Sequence, residues 1–255
     1  MEYSAITVEQ NESLCILTLN RPPNNTINLA LREELNSILF DIEKNNDIRV
    51  LVITGAGEKC FSAGMDITDV GNLNRGPDAI EMINHIDRFT KPVIAAINGI
   101  ALGGGCEMAL ACHFRFMADM PKAKIGCPEV NLGIIPGWGG VQRLTRLLGR
   151  PRALDLILFS RRLSPAEALE IGLVDRVFPA ASFMDETMKF ARMLAQRPPI
   201  AVSCVLKGMI AGMEKGIEEG LRTDRESAEI LALSEDAREG FTAFMQKREP
   251  VFKGK

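Results

Sequence analysis

Residues 98–111 read NGIALGGGCEMALA, and they follow the apolar run Val93-Ile94-Ala95-Ala96-Ile97. The run has strand composition. Three glycines at 103, 104 and 105 interrupt it, and residues 106–111 are good helix formers. The pattern is strand, sharp turn, helix. Glycine has no Cβ, so this turn can bring its backbone close to a ligand. The first N–H groups of a helix have no partner inside it and carry partial positive charge. Such a place suits an anion, or an oxygen that becomes anionic during a reaction. Glu107 falls in the first helical turn beside it. Its carboxylate either complements the helix dipole or takes part in chemistry, and the residue alone does not decide between them.

The chain of 255 residues is long enough for one large core. Hydrophobic residues make up 46% and charged residues 25%, as in ordinary globular proteins. A net charge of −3 argues against a nucleic-acid surface. No apolar run reaches the ~20 residues that span a bilayer, so no membrane partner is expected. The opening MEYSAITVEQ has no basic segment leading into an apolar one, which makes the cytoplasm the expected compartment. Six cysteines show no CxxC and no zinc-like spacing with His85 or His113, so no metal is expected. Neither histidine has a partner that suggests catalysis, and His113 is given no role.

Outward from the glycine turn, the chain alternates strands and helices. Residues 3–8 and 14–19 read as a hairpin around a polar turn at 9–13. An amphipathic helix is expected over 29–44, from Leu31, Leu35, Ile38, Leu39 and Ile42. Residues 50–54 (VLVIT) form a buried strand. The following GAGEKC partly mimics a dinucleotide fingerprint, but Cys60 replaces its third glycine and no helix starts, so a dinucleotide-binding fold is set aside. In the loop 60–68, Ser62-Ala63-Gly64 are small enough for a second close approach to a ligand. Residues 69–90 combine a Gly/Pro loop with a short helix. A strand-like stretch at 113–118 follows the glycine helix. Residues 123–140 hold Pro128, Pro136 and several glycines, which exclude a regular element throughout. This loop is apolar, and Glu129 is expected on its buried backbone, where an unpaired carboxylate is costly unless used. Helices are expected at 141–148, 153–159 and 164–172, a short strand at 173–178, and helices again at 181–196, 200–213, 217–233 and 235–247. Pro198-Pro199 divides a mixed part, 1–197, from a helical tail, 198–255. The basic closing segment 247–255 is expected to be loosely ordered.

Asn28, the loop FSAGMDI, the turn NGIALGGGCEMALAC, the loop CPEVNLGIIPGWGGVQRL and the closing EDAREGFTAFMQKREPVF together resemble the enoyl-CoA hydratase/isomerase, or crotonase, family. The likeness covers essentially the whole chain. It implies an α/β fold, a spiral of ββα units with a C-terminal helical region that mediates homotrimers or dimers of trimers. It implies an acyl-CoA substrate, with coenzyme A as part of that substrate and no separate cofactor. By position in AGMD and GGGCE, it implies an oxyanion hole from the amides of Met65 and Gly104. Ala63, Asp66, Ile67 and Thr68 fall where relatives touch the CoA, and Gly137 falls in the substrate-facing PGWGG turn. Met65, larger than the usual residue, should narrow the acyl pocket.

Glu107 and Glu129 stand where the family's hydratases carry glutamates. Two carboxyls in a poorly solvated cleft push their pKa values apart and can hold different roles. Glu107 is assigned to orienting and activating water, and Glu129 to proton delivery. The expectation is hydration of a trans-2-enoyl-CoA to a 3-hydroxyacyl-CoA in fatty acid metabolism. The alternatives are double-bond isomerisation or other enolate chemistry on an unusual acyl-CoA and, more remotely, a non-catalytic RNA-binding or scaffold role. Trp138 either lines the acyl pocket or packs in the core.

Overall fold

The structure, a computed structural model, describes residues 3–72 and 74–255. In chain order, the hairpin β1 (Ile6–Asn11) and β2 (Leu14–Leu19) leads to α1 (Leu29–Lys44). Then come β3 (Val50–Gly55), β4 (Cys60–Ser62) and α2 (Ala79–Asp87); β5 (Val93–Ile97), β6 (Ile100–Leu102) and α3 (Gly104–Ala111); β7 (Phe114–Asp119), β8 (Ile125–Gly126) and α4 (Gly140–Leu148). They are followed by α5 (Arg150–Leu158), α6 (Pro165–Glu170), β9 (Arg176–Pro179), α7 (Phe183–Ala195), α8 (Pro199–Lys215), α9 (Ile217–Ala232) and α10 (Glu235–Gln246).

The long strands form one sheet in the order β1-β2-β3-β5-β7-β9, parallel except for the β1–β2 hairpin. Every residue of β3 and β5 is buried, as expected for parallel strands covered on both faces. Alternate side chains sort the core. Leu51, Ile53, Ala95 and Ile97 pack with residues of α1, α2 and α3, whereas Val50, Val52, Ile94 and Ala96 pack with residues of α7. The short strands β4, β6 and β8 form a second, parallel sheet. Three times in succession, the chain places one strand in the large sheet and the next in the small one, then runs into a helix. This is the α/β spiral of ββα units. Asn98 fixes one corner of it. Its Oδ1 accepts from the Gly55 amide at 3.1 Å, and its Nδ2 donates to the carbonyls of Gly55 and Gly57.

Several expectations are corrected. The loop 60–68 contains strand β4, and the irregular stretch 123–140 contains β8 and a 3-10 turn, Glu129–Leu132. Elements of two to four residues are too short for periodicity to show. Residues 131–135 of that apolar stretch are exposed, not buried; Leu132 is 68% and Ile135 67% exposed. Strand β1 runs on to Asn11, so the hairpin turn is tighter than 9–13, with Glu12 at φ 51°. The closing segment is tied down rather than loose. Asp236, almost fully buried, accepts from the amides of Lys253 and Gly254, Glu239 holds Arg248 and the Val251 amide, and Arg49 donates to the Phe252 carbonyl. Among the described residues, no helix is long and apolar enough to cross a membrane.

Asn25 locks the start of the site. It is fully buried with φ 47°, donates through Nδ2 to the carbonyls of Ala56 (3.0 Å) and Cys60 (2.7 Å), and accepts from the Arg21 amide. Asn25→Ala leaves those carbonyls without their donor. It is expected to cost about 1–3 kcal/mol in urea unfolding; a change within about 0.5 kcal/mol, typical of a surface site, contradicts this.

Candidate active site

Two bends meet at the N-terminus of α3. In the first, Ile27 donates to the Gly64 carbonyl at 2.8 Å and accepts from the Asp66 amide at 3.0 Å. The chain on either side of Met65 is thereby held as a short strand beside Ile27, and among the described residues the Met65 amide donates to nothing. Gly64, at φ 90°, lets this bend touch the second: a Cβ there would lie 2.7 Å from the Leu102 carbonyl oxygen and 2.8 Å from the Gly104 nitrogen. In the second bend, Gly103 donates to the Gly126 carbonyl and Glu107 to the Gly103 carbonyl. The Gly104 amide, like that of Met65, has no acceptor among the described residues. Two amides without an acceptor therefore flank the contact between the bends, and one of them heads a helix.

Glu107 is the only charged residue of α3, a helix buried on all sides, and is 2% exposed. Its Oε1 accepts from the Trp138 amide at 2.7 Å and the Gly140 amide at 2.8 Å. These two bonds fasten the PGWGG turn over the first turn of α3 and leave Oε2 for another partner. Burial pushes the Glu107 carboxyl up to about 7, the charge of Glu129 adds to the rise, and the two amides and Arg143 oppose it. Glu129 lies against Gly103, where a Cβ would meet its Oε1 at 2.8 Å. Its Oε2 is buried with no hydrogen-bond partner among the described residues, and burial raises its carboxyl as well. The ring of Trp138 covers Gly104 so closely that a Cβ there would run into it.

The structure thus brings Met65, Gly104, Glu107 and Glu129 to one place. The other sequence-selected residues lie around it. Ala63 donates to the Asn24 carbonyl. Asp66 turns toward its own loop, where hydrogen bonds from Thr68, Arg21 and Thr26 hold its carboxyl down at about 2. Ile67, 71% exposed, and Thr68 face outward, and Gly137 is exposed on the PGWGG turn. His113 lies at the far end of α3, accepts from the Val93 amide and is pulled down to about 4 by burial; its place is structural.

Sequence reading missed the residues that hold the site together. Arg143 of α4, nearly buried, donates to Asp87, to Asn84 and to the carbonyl of Trp138. Asp69 accepts from the Leu29 amide at the start of α1. Arg32 donates to the carbonyls of Asn72, Arg75 and Pro77, pinning the loop before α2. Arg143 shares its helix face with Arg146, three residues on, so nothing in the sequence singled it out. The contacts of Asp69 with Leu29 and of Arg32 with Pro77 had no local signal, because they join residues 40 and 45 apart in sequence. Among the described residues, no group of three or more His, Cys, Asp or Glu could hold a metal ion.

A family model described as enoyl-CoA hydratase/isomerase matches residues 9–255. A short-chain-enoyl-CoA hydratase of Clostridium acetobutylicum is 35% identical, covering 97% of each chain. A crotonyl-CoA hydratase of Syntrophomonas wolfei is 36% identical, covering 99% of each. The crystal structure of an enoyl-CoA hydratase from Bacillus anthracis is similar with a TM-score of 0.90 at 39% identity, covering 99% of this chain and 100% of that one.

The raised pKa of Glu107 has a consequence for stability. The folded state favours the protonated carboxyl, so this stabilisation is complete below the ordinary glutamate value of 4.5 and is lost as pH rises through about 7. Glu107→Gln, which mimics the protonated form, is expected to be more stable than the parent at pH 8, by on the order of 3 kcal/mol. The difference should vanish near pH 4. Thermal unfolding of both proteins across this range checks it, and a variant less stable at pH 8 contradicts it.

Proposed function

The chain belongs to the enoyl-CoA hydratase/isomerase family, and we propose that it adds water across the double bond of a trans-2-enoyl-CoA to give a 3-hydroxyacyl-CoA. The observation that carries this reading is the convergence of a buried carboxyl, Glu107, and a half-buried one, Glu129, whose Oε2 is shut off from solvent, on two bends with unused amides.

The thioester oxygen accepts from Met65 N–H and Gly104 N–H. When water attacks C3, negative charge moves to that oxygen as an enolate, and fixed amides stabilise it where it develops. Loss of one such donor typically costs ~10²–10³ in rate. Glu107, held through Oε1, uses Oε2 to orient the water and take its proton. Glu129 gives its proton to C2, and passage of the proton that Glu107 took from the water on to Glu129 resets both carboxyls. Burial suits Glu129 to this step because it keeps a proton on a carboxyl beyond the usual range. The chemistry is acid–base throughout and calls for neither a metal nor a redox cofactor. The loop from Ala63 to Thr68 is the proposed contact for the CoA moiety, with Asp66 shaping the loop and Ile67 and Thr68 facing outward. Double-bond isomerisation would pass through the same enolate with a single acid, so the presence of both acids favours hydration.

Glu107→Gln and Glu129→Gln are each expected to lower hydration turnover ~10²–10⁴-fold while a saturated acyl-CoA still binds. Full activity in either variant contradicts the assignment. In the parent, kcat/KM should fall as pH drops below about 7, where Glu107 takes up a proton; a flat profile from pH 5 to 9 contradicts its role as base.

We also propose a homotrimer or a dimer of trimers. Leu233, Phe241, Phe244 and Met245 expose large apolar side chains that another subunit would cover. Sedimentation equilibrium should give a multiple of three 28.0 kDa chains, and a monomer contradicts this.

A further inference from the structure

Trp138 occupies a position that the reaction scheme does not use. Its indole lies over Gly104, with Cη2 3.1 Å from where a Cβ would stand and Cζ3 and Cε3 closer still. Its backbone is fastened on both sides: the amide donates to Glu107 Oε1 at 2.7 Å, and the carbonyl accepts from Arg143 at 3.0 Å. Arg143 is in turn bonded to Asp87 and Asn84. The ring is half-buried and packs against the main core cluster. Glu129 covers the neighbouring Gly103. An indole, a carboxyl on either hand and the Met65 bend therefore enclose the Gly104 amide.

We infer that Trp138 is a specificity-determining residue that closes the acyl pocket and restricts this enzyme to short acyl groups such as crotonyl. The inference rests on the reading that Gly104 N–H holds the thioester oxygen. An oxygen at hydrogen-bond distance from that nitrogen, about 2.9 Å, places C2 and C3 within a few bond lengths of the indole. Once C3 faces Glu107 and C2 faces Glu129, the remainder of the chain must pass Trp138. The ring is large, rigid and backed by packed core, so a long chain meets it where a small side chain would leave room. A tryptophan serving only as packing would affect stability when removed, not the ranking of substrates by length.

The test compares crotonyl-CoA with trans-2-decenoyl-CoA in the parent, Trp138→Ala and Trp138→Leu. Folding of each is checked by thermal unfolding, and the leucine variant serves if alanine does not fold. The parent should have at least tenfold higher kcat/KM for crotonyl-CoA, and the smaller side chains should shift that ratio at least tenfold toward decenoyl-CoA. Calorimetric binding of butyryl-CoA and decanoyl-CoA reads the same pocket without chemistry and should shift in the same direction. A parent that hydrates or binds both lengths equally, or a folded variant with an unchanged ratio, overturns the inference. If the parent hydrates neither substrate but the binding preference shifts, the hydratase reading fails and the pocket assignment stands.

Discussion

The site depends on one buried carboxylate oxygen. Glu107 Oε1 accepts two amides of the PGWGG turn from inside an apolar helix. Charge-assisted bonds of this kind are stronger than neutral ones, and here they join segments 31 and 33 residues apart in sequence. They set the height of the Trp138 turn above α3 and bring Gly140 to the head of α4, where Glu107 Oε1 lies 3.0 Å from its would-be Cβ. The Trp138 ring on Gly104 and the Arg143 bond to the Trp138 carbonyl complete the attachment of that loop to the helix.

The anchor works against the ionised form it uses. An apolar helix is a poor setting for a carboxylate, and two amides and Arg143 only partly offset the loss of water and the nearness of Glu129. The resulting balance leaves a carboxyl that changes protonation near neutrality, as a general base requires. Glu129 is left with an unpartnered oxygen inside the protein, a cost that a purely structural side chain would have no reason to bear. Small residues make the crowding possible. Gly64, Gly103 and Gly104 each stand where a Cβ would collide with the opposing bend, an acid or the indole.

Much of this was legible in the sequence. Long apolar strands and amphipathic helices follow from periodicity, and α1 matches its expected span of residues 29–44. The glycine turn announced a helix head open to a ligand, and family resemblance selected the two glutamates and two amides. What stayed hidden was non-local. Strands β4, β6 and β8 have two or three residues each and exist because they pair with one another across the spiral. The ordered C-terminal segment relies on Asp236 and Arg49, whose partners lie far along the chain. The exposure of Leu132 and Ile135 runs against composition, which favours burial of such side chains.

The most direct measurement is a crystal structure of the protein with an unreacted trans-2-enoyl-CoA, trapped in the Glu107→Gln variant. The account predicts the thioester oxygen about 3 Å from both Met65 N and Gly104 N, with C2 toward Glu129 and C3 toward residue 107. A thioester oxygen bound by other groups, or reacting carbons turned away from the two acidic positions, would contradict it.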